Sequence, residues 1–222
     1  MTRLILASNS PRRRQLLTLG GWSFNVRAAQ VDEDILAGEA PVEYVKRIAL
    51  SKAQAVAHLA GVDEIIIAAD TTVVDGEQIM GKPADALEAT AMLRRLRGHT
   101  HQVYSAVVLL RMRDQLLLAD VCTTHVPMRW YSDEEIEAYV ASGDPLDKAG
   151  AYAIQNRAFK PVLALSGCFA SVMGLPLCHL GRMLVQAGAA GRSDLPQACQ
   201  ASLDYACDVY PQIWNHASAA GV

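Results

Sequence analysis

Residues 65–72 read IIIAADTT: an unbroken apolar run, then an aspartate and two threonines. A run with no polar alternation is the pattern of a strand covered on both faces, which belongs to the centre of an α/β sheet. This reading ends the strand at Ala69 and sets Asp70 at its mouth, where open α/β sheets turn side chains toward a ligand crevice. Just beyond, Val73-Val74, an Asp75-Gly76 turn and Gln78-Ile79 predict a small hairpin. Just before, Val42, Val45, Ile48, Ala49, Val56 and Leu59 recur at helical spacing, predicting a helix from Pro41 to about Ala60.

The rest of the chain fits around that centre. Arg3–Ala7 reads as a second buried strand, followed by Ser8-Asn9-Ser10-Pro11 and a helix to Leu19, with Ser10 as its cap and Pro11 in its first turn. Trp22–Val26 is a further strand, and Asp32-Glu33-Asp34 an acidic loop. Downstream come a helix over Ala84–Arg97 stopped by Gly98, and two long strands, His101–Met112 and Leu116–Met128. A Ser132/Glu135 capping box opens a helix to about Ser142. A loop is expected over Leu146–Arg157, strands over Val162–Leu165 and Phe169–Met173, and a last main helix from Pro176 to about Ala187. Alternating strands and helices with a long antiparallel pair make a mixed α/β sheet. The chain divides into a domain over residues 1–188 and a tail over 189–222, rich in Ala, Gly, Ser and Gln, expected to be part helix and part disordered.

Composition narrows the function. The 222 residues are 51% hydrophobic, enough for a substantial core, and carry a formal net charge of -3, which disfavours a nucleic-acid surface. Five cysteines form no CxxC pair, which argues against a disulfide scaffold or a zinc site. Neither a signal-peptide pattern nor an apolar run of about 20 residues is present. The expectation is a soluble cytoplasmic chain with neither nucleic acid nor membrane as partner.

Against that acidic background, Arg12-Arg13-Arg14 at a helix start is a local cationic feature. Backbone N–H groups and the helix dipole converge there, and arginine suits bidentate phosphate contacts. Successive helical side chains point about 100° apart, so Arg12 and Arg13 are the candidates for one anion; a solvated charge run is the alternative. Asp70 is placed to hold a divalent metal or position a water, unless it is a turn aspartate. Glu33 or Asp32 would add a second oxygen donor, and oxygen ligands favour Mg²⁺ or Mn²⁺. In Gly81-Lys82-Pro83 the lysine offers a mobile cation, or sits in an ordinary turn. Lys52, taken alone, reads as a solvated helix lysine. Asp147, Lys148, Tyr152 and Gln155 share one glycine-containing loop, and the Gln155 amide has the donor and acceptor needed to read a base edge. His99 and His101 read as structural. The Walker A, GxGxxG, HExxH and GxSxG patterns are absent.

Six stretches, SNSPRR (8–13), AADT (68–71), GKP (81–83), GHTHQVYSAV (98–107), DKAGAYAIQ (147–155) and VMGLPL (172–177), together resemble the Maf family of nucleoside triphosphate pyrophosphatases, in its order and spacing over about residues 3–186. The resemblance implies an inosine-triphosphatase-like fold, a long mixed sheet with two helical lobes flanking a deep cleft. It implies hydrolysis of a nucleoside triphosphate to the monophosphate and pyrophosphate, dependent on a divalent metal such as Mg²⁺ or Mn²⁺. Asp70 matches the catalytic aspartate that serves as base for the attacking water. Ser8, Arg12, Arg13, Lys52 and Lys82 match positions lining the triphosphate cleft, and Glu33, with Asp70, an acidic position at the metal. Specificity positions fall on Arg12, Thr71 and Gln155, which resemble the dTTP/UTP branch; a 7-methyl-GTP branch carries other residues there. Ser105-Ala106 stand where Thr-Gly is common. Family habit implies a homodimer, and a nucleotide-binding role in septum formation with little catalysis is the alternative to an enzyme.

Overall fold

Three long strands, β3 (Ile65–Asp75), β5 (Thr100–Arg111) and β6 (Leu116–Pro127), pair antiparallel from the centre to one edge of one six-stranded mixed sheet. Two three-residue strands, β1 (Leu4–Leu6) and β2 (Phe24–Val26), continue it in parallel beyond β3, giving the order β2-β1-β3-β5-β6. A sixth, β4 (Gln78–Met80), folds back onto the end of β3 through the expected Asp75-Gly76 turn. The computed structural model describes residues 3–218, with side chains to residue 214. The first two residues of the 1–188 domain and the last four of the 189–222 tail lie outside the described residues.

Both faces of β3 are covered, as its apolar run requires. On one face Ile66 and Ala68, with Ile5, Ala106 and Val108, pack against Val45, Ile48 and Ala49 of α2 (Pro41–Ala55). On the other, Ile65, Ile67 and Ala69 join Leu16 and Leu17 of α1 (Pro11–Thr18) and Leu177, Leu180 and Leu184 of α6 (Leu177–Gln186). A third cluster closes the far end, where Val73, Val103 and Val126 meet α3 (Ala86–Leu96) and α4 (Asp133–Ala141). At about 25 cal/mol per Å² these apolar faces supply most of the favourable folding term.

Several expectations change. The strand at Ile65 does not stop before Asp70: β3 runs on to Asp75 because its pairing with β5 is continuous from Ile66↔Leu110 to Val74↔Gln102, so backbone hydrogen bonds carry the polar residues through. Phe169–Met173 is not a strand but the short helix α5 (Phe169–Val172), capped by Cys168 Sγ, which accepts from Ser171 N. Short apolar runs fit either state, and here the cap decides. Val162–Leu165 contributes only one bridge, Met128↔Val162; Pro161 beside it has no N–H for a ladder. The helix at Pro41 ends at Ala55, and a 3₁₀ turn covers Ala57–Leu59. The loop after Ser142 contains two 3₁₀ turns, Asp144–Asp147 and Ala149–Ala151.

Beyond residue 188 lie α7 (Leu195–Leu203) and α8 (Tyr210–Ser218), both in contact with α6. Leu195 is fully buried. A Cβ on Gly181 of α6 would lie 2.6 Å from the Trp214 ring and 2.8 Å from Leu195 Cδ2, so glycine there lets these helices seat. Among the described residues no helix is long and apolar enough to cross a membrane.

Candidate active site

One edge of β3 is left uncovered at its middle. β1 pairs with Ile65–Ile67 on that edge and β4 with Val73–Asp75, leaving residues 68–72 without a neighbouring strand there. After Ala7, whose N–H donates to the Ile67 carbonyl, the chain turns away into the Ser8-Asn9-Ser10-Pro11 start of α1. The resulting cleft has a volume of about 690 Å³. Asp70 sits at the midpoint of the open edge. Because side chains alternate along a strand, Asp70 faces the α2 side of the cleft and Thr71 the α5 side.

Lys52 of α2 reaches Asp70 with its ammonium, Nζ to Oδ1 at 2.6 Å, and touches Glu33 Oε1 at 2.7 Å. The Lys52 side chain is only 14% exposed, so it is a cleft lysine rather than a solvated one. Burial pushes the Asp70 carboxyl above its ordinary pKa, against the pull of Lys52 and Arg13. Burial acts in the same direction on Glu33, but its hydrogen bond and charge contact with Lys52 outweigh it and hold that carboxyl low. Tyr44 O–H donates to the Glu33 carbonyl at 3.0 Å and fixes the acidic loop over α2. Burial and then the charges of Asp70 and Glu33 push the Tyr44 phenol up to about 12, so it remains a donor. Asp32 turns elsewhere and accepts from Asp34 N at 2.9 Å.

At the start of α1, Ser10 Oγ accepts from Arg13 N, as expected of the cap. The Arg13 guanidinium lies inside the cleft, donating from Nε to the Gly174 carbonyl at 2.9 Å and from Nη1 to Ser8 Oγ at 3.4 Å. Burial lowers its pKa, opposed by the charge of Asp70; an arginine remains charged under such a shift. Gly174 holds φ +112°, and a Cβ there would lie 3.4 Å from Arg13 Nε and 3.5 Å from Thr71 Oγ1. Arg12 lines the cleft and pairs with Asp147 at 3.4 Å, while Arg14 is exposed on the opposite side of the helix.

The opposite wall carries Lys82, Lys148 and Gln155. Gly150 brings it in: φ is +67°, a Cβ would meet Val73 at 2.9 Å, and its N–H donates to the Gly81 carbonyl. Tyr152 belongs to the core, with its hydroxyl 2.8 Å from His101 Nε2. On the α5 side, Thr71 Oγ1 is 2.8 Å from Ser105 Oγ, which donates to the Ser171 carbonyl at 2.7 Å.

Ser8, Arg12, Arg13, Glu33, Lys52, Asp70, Thr71, Lys82 and Gln155, singled out for phosphate, metal or base, therefore line one cleft, and Asp32, the alternative to Glu33 as a metal donor, does not. Five basic side chains face three acidic ones there, in a chain of net charge -3. Such a cavity concentrates polyanions. Tyr44 and Gly174 were not identified from sequence as cleft groups, nor was Ser105 as the buried partner behind Thr71. Ser105 becomes visible only once the β3–β5 register places it opposite Thr71. Among the described residues no group of three or more His, Cys, Asp or Glu side chains is arranged to hold a metal by itself.

A family profile described as Maf-like protein matches residues 3–187. A protein of Anaeromyxobacter dehalogenans named dTTP/UTP pyrophosphatase is 45% identical over 188 residues, covering 84% of this chain and 94% of the relative. One of the same name from Xanthomonas euvesicatoria is 45% identical over 192 residues, covering 84% and 99%. Among solved structures, a nucleoside-triphosphatase/dITP/XTP pyrophosphatase from Mycobacterium abscessus aligns over 83% of this chain and 98% of its own, at 13% identity and a TM-score of 0.41.

Proposed function

This chain belongs to the Maf-like protein family, and on that premise we propose that it hydrolyses dTTP and UTP, the nucleotides its relatives are named for, to the monophosphate and pyrophosphate. The observation that carries the assignment to this cleft is the position of Asp70: a buried carboxylate at the midpoint of an open strand edge, paired with Lys52 and under the charge of Arg13, in a cleft that Arg12 and Lys82 also line. The α1 mouth, with Ser8, Arg12 and Arg13, receives phosphate oxygens, and Lys82 closes over them from the opposite wall. Asp70 orients a water toward the α-phosphorus and takes its proton as the new P–O bond forms and the bond to pyrophosphate breaks. A carboxyl whose pKa lies above the usual range is better matched to that task at neutral pH. Lys52, Arg13 and Lys82 offset the negative charge that collects on the departing pyrophosphate, an electrostatic contribution of several kcal/mol, on the order of 3 per well-placed donor.

The donor set fits a divalent cation. Glu33 and Asp70 are hard oxygen ligands converging on one cationic group, the Lys52 ammonium. Two carboxylates completed by substrate phosphates is the usual coordination of Mg²⁺. Glu33 and Asp70 would hold Mg²⁺ or Mn²⁺, which would supply charge neutralisation to the triphosphate. We place the reaction in the cytoplasm, in keeping with five free thiols.

The test is pyrophosphate release from a panel of common nucleoside triphosphates and 7-methyl-GTP, with and without Mg²⁺ or Mn²⁺, on wild type and Asp70→Asn. Turnover of dTTP and UTP that needs the metal and is lost in the variant, with nucleotide binding retained, is the expected result. Near-wild-type turnover by Asp70→Asn removes Asp70 from the chemistry, and a preference for 7-methyl-GTP removes the pyrimidine assignment.

A further inference from the structure

The hydrogen-bond chain from the Thr71 hydroxyl through the Ser105 hydroxyl to the Ser171 carbonyl has a direction. Ser105 is fully buried and has one proton. Its oxygen lies 2.7 Å from the Ser171 carbonyl, which can only accept. Two oxygens that close in a dry interior repel unless a proton lies between them, so the Ser105 proton is committed to Ser171. The 2.8 Å contact between Thr71 and Ser105 then needs its proton from Thr71. Both hydroxyl protons therefore point inward, and Thr71 Oγ1 faces the cleft with lone pairs alone.

That polarity restricts what Thr71 meets. Phosphate oxygens and carbonyls are acceptors and find no proton there. A group that bonds Thr71 must be a donor. Uracil and thymine carry a ring N–H between two carbonyls, whereas cytosine has a bare nitrogen lone pair at the same position. Gln155 lines the same cleft with an amide able to pair with an adjacent ring carbonyl. Gly174, with no side chain, leaves the approach to Thr71 Oγ1 open.

We propose that Ser105 is a positioning residue that holds the Thr71 hydroxyl as an obligate acceptor, and that Thr71 reads the ring N–H of uracil and thymine and turns away cytosine. This rests on the pyrimidine triphosphate reading above and specifies how one base is told from another.

The experiment compares kcat/KM for UTP and CTP in wild type, Ser105→Ala, Ser105→Thr and Thr71→Val. Wild type should favour UTP by about 10- to 100-fold, the scale of a mispaired buried polar contact. Ser105→Ala frees the Thr71 proton to point at the cleft, so the preference should fall to within about threefold, with CTP turnover rising. Ser105→Thr keeps the chain and should keep the preference. Thr71→Val, close to isosteric, should lose it through UTP, and carries the test if Ser105→Ala does not fold. An unchanged ratio in both Ser105→Ala and Thr71→Val, or equal losses on both nucleotides as from a sugar hydroxyl contact or a structural defect, overturns the proposal. A wild-type protein that hydrolyses neither nucleotide overturns the pyrophosphatase reading with it, whereas an active wild type with an unmoved ratio overturns this inference alone.

Discussion

Lys52 Nζ lies 2.6 Å from Asp70 Oδ1, and the Asp70 side chain is only 8% exposed. The ionised state of a buried carboxylate thus depends heavily on one ammonium, whose other contact is Glu33. Removing one partner of a buried pair costs more than the pair contributes, because the remaining charge stays desolvated. Lys52→Met should lose about 3 kcal/mol of stability at pH 8 by urea unfolding, and less as the pH is lowered, because Asp70 relieves the cost by taking up a proton. Lys52 lowers the Asp70 pKa, so the acid limb of kcat/KM in the variant should move to higher pH. A limb that stays in place would show that the lysine does not set the carboxylate's titration.

Asp70 itself should be a stability cost at neutral pH. Its folded pKa is raised above the ordinary 3.8 by burial, so the folded chain binds that proton more tightly than the unfolded chain does. Stability is then greatest below the unfolded value and is lost as pH rises through the folded one. Asp70→Asn removes that cost while Lys52 keeps its 2.7 Å contact with Glu33, so with turnover removed it should melt higher than wild type at pH 7, by about 2–4 °C for each kcal/mol in a chain of this size. The difference should close as the pH approaches 3.8. Calorimetric scans of both proteins across that range decide it.

His101 titrates in the opposite sense. Burial depresses its pKa from 6.5 to about 4, with the charge of His99 adding to the effect. A group charged less readily in the folded state contributes stability above its unfolded pKa, and that stability drains away as pH falls from 6.5 toward 4. The loss is on the order of 3 kcal/mol. His101→Gln keeps a partner for the Tyr152 hydroxyl but has no proton to gain, so its stability should be flatter over that interval in urea titrations.

Gly181→Ala should test whether the last two helices belong to the fold. The new methyl would lie 2.6 Å from the Trp214 ring and 2.8 Å from Leu195. Overpacking of this kind costs about 1–3 kcal/mol. Thermal melts should shift down accordingly and Trp214 fluorescence should move toward that of a solvated indole. Because α6 meets the sheet away from the cleft, kcat should hold at temperatures below the melt.

How much was legible depended on how local the cause was. Ser10, Pro11 and the Ser132/Glu135 box mark helix ends through contacts or dihedrals within four residues, Gly98 does so through its positive φ, and those ends stand where expected. The cleft residues were likewise identifiable by type and spacing. The continuation of β3 through Asp70 was not, because it depends on β5, more than thirty residues away. Phe169–Val172 was misassigned because its helix is fixed by a sulfur cap and by packing rather than by periodicity. Lys52 looked solvated because a helical pattern shows which face is polar, not what that face meets.

The cleft exists because β1 and β4 both stop after three residues. Five residues of β3 between them span roughly 16 Å at strand rise, and the opening can be no longer than that interval. After Ala7 the chain leaves the sheet, and Pro11 then opens α1 with a φ already suited to its first turn. Extending either short strand by a single ladder pair would narrow the aperture from one end, toward phosphate from β1 or toward the base loop from β4. Strand length is therefore an adjustable dimension of the binding chamber, and loop redesign at residues 7–11, or at 80–83 with Lys82 kept, is a route to altering which ligands fit without removing a charged side chain.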